Sequence, residues 1–175
     1  MQRLRRLANV TLRSGHLSRK RWGNFRNMNI EETVELLQST VRVLVVDDVE
    51  LWQTFVHMHL DKEPNLHVIG VAADGLEAVR KAEEQLPDLI LLGVSLPKLN
   101  GLEAARQIRE VAPKSRILFL SVESDPDVVL GAFSAGGLGY VLKSDAARDL
   151  LAGIESVLLG RRFVSRSLSD FGDVT

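Results

Sequence analysis

Five short runs rich in Val, Ile and Leu constrain this chain most. They are Val41–Val46 (VRVLVV), Leu66–Ala72 (LHVIGVA), 89–94 (LILLGV), Arg116–Ser121 (RILFLS) and Gly139–Leu142 (GYVL). None alternates cleanly between apolar and polar, as expected of strands covered on both faces. Helical patterns lie between them. Leu51, Phe55 and Met58 share a face in the first, and Leu76, Val79, Ala82 and Leu86 in the second, which Asp74 and Glu77 open as a capping box. Leu102, Ala105 and Ile108 mark the third, ended by Pro113. Asp125 and Pro126 start a fourth, which stops at Gly136 and Gly137. Leu150, Leu151, Ile154, Val157 and Leu158 carry the fifth, which ends at Gly160. Five alternating units predict an α/β fold built on an open, doubly wound, five-stranded parallel sheet.

Ligands of such sheets bind beyond the carboxyl ends of the strands. The first strand ends in Asp47 and Asp48, the third runs into Gly93, Val94 and Ser95, the fourth ends at Ser121 and the fifth at Lys143. Two carboxylates, a hydroxyl and an ammonium would then share one edge. Oxygen ligands suit Mg²⁺, a lysine supplies a compact charge for a phosphoryl group, and a hydroxyl bonds a phosphoryl oxygen. Taken singly, Asp47 and Asp48 read equally well as helix caps and Lys143 as a surface residue. Their joint placement on strand ends favours a site.

The stretches VRVLVVDDVEL (41–51), PDLILLGVSLPKLNGLEA (87–104), RILFLSVESD (116–125) and AGGLGYVLKSDA (135–146) resemble the response-regulator receiver family of two-component signalling. The closing LLAGIESVLLGRRFVS (150–165) is similar to its LuxR-type branch. The resemblance implies a flavodoxin-like receiver fold with strand order 2-1-3-4-5, phosphorylated on an aspartate by a histidine kinase with Mg²⁺. It also implies roles for particular residues. Asp47 and Asp48 match the metal-binding pair, with the backbone carbonyl of Ser95 as a further ligand. Ser121 and Lys143 match the phosphoryl contacts, Tyr140 the aromatic switch residue, and Pro97 and Gly101 the loop after the third strand.

At the phosphoacceptor position, four residues before Pro97, this chain has Gly93. Glycine offers no nucleophile, so covalent phosphotransfer fails there. Asp88 is five residues upstream, about 16 Å away in an extended strand. Ser95 has no activating neighbour in the sequence. Mg²⁺ binding is expected to persist only in weakened form, with one carboxylate gone. The expected function is that of an atypical receiver, not an enzyme, working through protein contacts in the cytoplasm, with a histidine kinase or another signalling protein as partner and a homodimer as its expected assembly. The alternatives are a kinase-binding decoy, or a receiver with its aspartate substituted and its DNA-binding output domain missing. A Mg²⁺-dependent phosphohydrolase would need the missing nucleophile.

The expected organisation is a basic extension at 1–28, a linker or short helix at 29–40, the receiver at 41–165 and a tail at 166–175. Residues 1–26 hold eight basic residues and no acid, whereas the remaining 14 basic and 23 acidic residues leave −9. Such a tail reads first as a disordered extension. Leu4, Leu7 and Leu12 among arginines also permit a basic amphipathic helix for a membrane surface or an anionic partner. Trp22 and Phe25 among basic residues would let the tail stack on nucleic acid, which the receiver itself is not expected to bind. His57, His59 and His67 lack metal-ligand spacing. The chain has no cysteine, hence no disulfide or thiolate metal site. No apolar run in the sequence approaches the ~20 residues of a membrane span.

Overall fold

A computed structural model describes residues 40–171. The expectations for residues 1–39 and for the last four residues lie outside that range. The elements run β1 (Val41–Val46), α1 (Glu50–Leu60), β2 (Leu66–Ala72), α2 (Gly75–Gln85), β3 (Leu89–Leu92), α3 (Gly101–Val111), β4 (Arg116–Ser121), α4 (Pro126–Ser134), β5 (Gly139–Leu142), α5 (Ala146–Leu158) and β6 (Phe163–Val164). The sheet order is β2-β1-β3-β4-β5-β6, and every pairing is parallel. The five expected strands and their order are present, and β6 extends the sheet beyond β5.

The continuous apolar runs follow from two separate cores. Leu44, Val46, Ile90, Leu92, Ile117, Phe119 and Tyr140 pack with residues of α2, α3 and α4. Their strand neighbours Val43, Val45, Leu89, Leu91, Leu118, Leu120 and Val141 pack with residues of α1 and α5. Side chains alternate between faces along a strand, so covering both faces demands apolar residues at every position.

The helix starts match their sequence signals. The Asp74 carboxylate accepts the Glu77 N–H at 2.8 Å, and Glu77 reaches back to the Ala73 N–H at 3.0 Å. Asp125 accepts the Asp127 N–H at 2.8 Å, with Pro126 opening α4.

Two helix faces need correction. Leu51 and Met58 of α1 are 74% and 61% exposed, and the buried residues are Val56 and Leu60, with Trp52 and Phe55 against them. In α2, Leu76 and Leu86 are exposed, and Ala78 and Ala82 face the sheet. Of the expected α2 stripe, Ala82 is buried and the two leucines are not.

Candidate functional site at the strand ends

After β1 the chain crosses to β2 on one side and later returns to β3 on the other. This reversal opens a crevice between the carboxyl ends of β1 and β3. Asp47, Asp48, Trp52, Gly93, Ser95, Leu96, Ser121, Val122 and Lys143 are among the residues lining a cleft of about 210 Å³ there. The structure thus gathers the strand-end residues singled out in the sequence.

Asp47 is buried at the end of β1. Its carboxylate meets the Lys143 Nζ at 2.6 Å, with both side chains at least nine-tenths buried, and accepts the Val49 N–H at 3.0 Å. Asp48 lines the same cleft but is exposed. Neither side chain caps α1, whose N-cap residue is Val49. Lys143 follows β5 directly and lies 5.0 Å from the centre of the Trp52 ring, so the ammonium has both an ion-pair partner and an aromatic face. The sequence reading missed Trp52, whose one clue was an aromatic residue a single helical turn beyond Asp48.

β3 stops at Leu92, so Gly93 lies just past the strand rather than inside it. Its N–H still donates to the Val46 carbonyl at 2.9 Å. Gly93 does not adopt a positive φ. A Cβ placed there would meet the Leu96 Cδ2 at 3.2 Å and the Val46 oxygen at 3.3 Å. Such contact is tight, and a small movement of the Leu96 side chain relieves one of the two. Gly101 differs, because a Cβ there would lie 1.9 Å from the Gly93 carbonyl oxygen. Geometry demands glycine at 101 and does not demand it at 93.

The chain bends after Gly93, so Ser95 does not continue the strand. Its side chain is exposed, and its hydroxyl donates to the Glu123 carboxylate at 3.2 Å. The loop after β3 is held by the Gly101 N–H on the Val94 carbonyl (2.7 Å) and the Leu99 N–H on the Pro97 carbonyl (2.7 Å). Lys98, at φ 63°, pairs with Asp74 at 2.6 Å. That ammonium, with the Glu77 N–H, holds the Asp74 carboxyl below its ordinary value. Asp88 is at the opposite edge of the sheet, accepting the Arg42 N–H at 2.8 Å.

Ser121 ends β4, and its hydroxyl accepts the Glu123 N–H at 3.1 Å. Tyr140 has no exposed surface. Its hydroxyl donates to the Glu123 carbonyl at 2.9 Å. Burial pushes the phenol above its ordinary value. Glu123 therefore joins Ser95, Ser121 and Tyr140, a role that its place in a polar loop did not signal. His59 bonds the Phe55 carbonyl at 2.8 Å within α1. No cluster of three or more metal-ligating side chains occurs among the described residues.

The response regulator receiver domain model matches residues 43–155. The chain belongs to the response regulator receiver family. It is 33% identical over 132 residues to the nitrate/nitrite response regulator protein NarL of Escherichia coli K12, covering 75% of this chain and 61% of NarL. It is 31% identical over 127 residues to the transcriptional regulatory protein DegU of Brevibacillus brevis, covering 73% and 54%. The chain therefore spans only about three fifths of these relatives. Among solved structures, a LuxR-family two-component response regulator from Aurantimonas is 35% identical and superposes with a TM-score of 0.72, covering 75% of this chain and 94% of that one. This receiver is thus of the LuxR type, as the closing segment 150–165 suggested.

Proposed function

We propose that this receiver signals through protein contacts and does not carry phosphate at position 93. The observation behind this reading is a cleft that keeps the buried Asp47–Lys143 pair and Ser121 while position 93 has no side chain. An acyl phosphate needs a carboxylate nucleophile, and the one nearby in sequence, Asp88, is at the far edge of the sheet. The Ser95 hydroxyl donates to the Glu123 carboxylate, and a serine would give a phosphate ester rather than an acyl phosphate.

The donors present suit a hydrated Mg²⁺, which asks for one or two carboxylates. Asp47, Asp48 and the Ser95 carbonyl would hold it. A bound Mg²⁺ would supply positive charge for a phosphoryl oxygen. Without a third carboxylate, and with Lys143 already neutralising Asp47, the site would bind the ion more weakly than a complete receiver. Ser121 and Lys143 would be the phosphoryl contacts of a complete site, and Tyr140 its reporter toward α4 and β5.

In this reading the module has no catalytic role. It works in the cytoplasm, with a histidine kinase or another signalling protein, or a second copy of itself, docking on the face of α4, β5 and α5. Among the described residues no helix is long and apolar enough to cross a membrane. Transcription regulation, as in DegU's name, would need an output domain. Hydrogen exchange over α4 and β5, with and without acetyl phosphate and Mg²⁺, tests the reading. No change is expected in this chain and a clear change in Gly93→Asp. A change in the unaltered chain would overturn it.

A further inference from the structure

The segment after α5 is bound more intimately than an edge strand requires. Ser165 has no exposed surface. Its N–H donates to the Tyr140 carbonyl at 2.9 Å, and its Oγ accepts the Leu142 N–H at 3.0 Å. The strand pairing of β5 with β6 ends at Tyr140 and Val164. At Leu142 a side-chain oxygen therefore stands where a parallel ladder would offer a carbonyl. The Asp149 carboxylate, 4% exposed, holds the same segment from α5. It accepts the Arg166 N–H at 3.3 Å and is gripped by Arg148 at 2.8 Å. Leu168, 2% exposed, then enters the apolar cluster that contains Tyr140.

The two β5 residues that Ser165 grips are the ones tied to the cleft. Tyr140 reaches Glu123 through its hydroxyl, and Glu123 in turn bonds Ser121. Leu142 immediately precedes Lys143, whose Nζ is on Asp47. A shift of 140–143 must break the bonds at Ser165 or drag the segment along. Loss of the hydroxyl would orphan a buried N–H at Leu142.

We propose that Ser165, next to the Arg166 N–H that Asp149 holds, is a positioning residue that couples the segment leaving the domain to Lys143 and Tyr140. The cleft and the outgoing chain then move as one unit. The coupling rests on the contact-signalling reading only for its use. The hydrogen bonds stand without it.

The chain carries its own probes. Tyr140 is its one tyrosine and Trp52 one of two tryptophans, so Trp22→Phe isolates Trp52. In that background, Ser165→Ala is expected to shift the Trp52 emission and the Tyr140 ring resonance. It should raise amide exchange at 163–168 and Leu142 roughly tenfold, the loss of one buried hydrogen bond, with β1 and β3 unchanged. Asp149→Asn, of the same volume, should give a smaller change in the same direction. Lys143→Met should raise exchange at 163–168 from the other end. If Ser165→Ala loosens 163–168 while Trp52 and Tyr140 stay as they were, the segment is only an edge closure and the proposal fails. Loosening spread evenly over β1 and β3 also overturns it. Neither outcome bears on phosphate acceptance at position 93, which is read by mass.

Discussion

At the scale of residues, two glycines that look alike in the sequence differ in kind. Gly101 lies against the Gly93 carbonyl, so a methyl there must push backbone apart. Gly93 has an ordinary backbone and a flexible leucine as its nearest side-chain neighbour. Gly101→Ala should cost about 2–3 kcal/mol and Gly93→Ala under about 1 kcal/mol in urea denaturation. Equal costs would contradict the geometry. The Asp47–Lys143 pair gives a second prediction. Breaking an enclosed pair costs about 3–5 kcal/mol, and this one opens onto the cleft. Lys143→Met should therefore cost about 2 kcal/mol, with part of it restored by adding Asp47→Asn. If the double variant is no more stable than the single one, the two side chains are not paired in solution.

At the scale of elements, the sequence made the strands legible to within two residues. A strand buried on both faces has one signature, an unbroken apolar run. The capped helix starts were legible too, because Asp74, Glu77, Asp125 and Pro126 act locally. The buried faces of α1 and α2 were not. Bulk and spacing favoured Leu51 and Leu76, while packing against the sheet selected Val56 and Ala78. Val56→Ala should accordingly cost about 1–2 kcal/mol and Leu51→Ala less than about 0.5 kcal/mol, as chemical denaturation would show. Of the site, Asp47, Ser121 and Lys143 could be placed because strand ends fix them, and Tyr140 only through the family resemblance. Trp52, Glu123 and Ser165 could not, since each acts through contacts between segments far apart in sequence. β6 was hidden for a related reason. Two residues, Phe163 and Val164, carry no periodicity.

At the scale of the whole molecule, stability should fall at both ends of the pH range for identifiable reasons. The Arg148 guanidinium, with the Arg166 N–H, holds the Asp149 carboxyl below its ordinary value. That contribution is present above the unfolded carboxylate value of about 4 and is lost as pH falls through the lower folded value. Burial raises the Tyr140 phenol, so its contribution is complete below about pH 10 and is lost as pH rises through the higher folded value. Asp149→Asn should flatten the acid limb of the stability curve and Tyr140→Phe the alkaline limb, each measured by denaturation across pH. A variant that moves the wrong limb would refute its assignment.

The proposed contact signalling turns on position 93, where a glycine stands in the cleft that Asp47, Ser121 and Lys143 line. Intact mass after incubation with acetyl phosphate and Mg²⁺, for this chain beside Gly93→Asp, tests it most directly. The account predicts a phosphoryl mass on Gly93→Asp alone. A phosphoryl mass on the unaltered chain would contradict it, and so would the absence of one on Gly93→Asp.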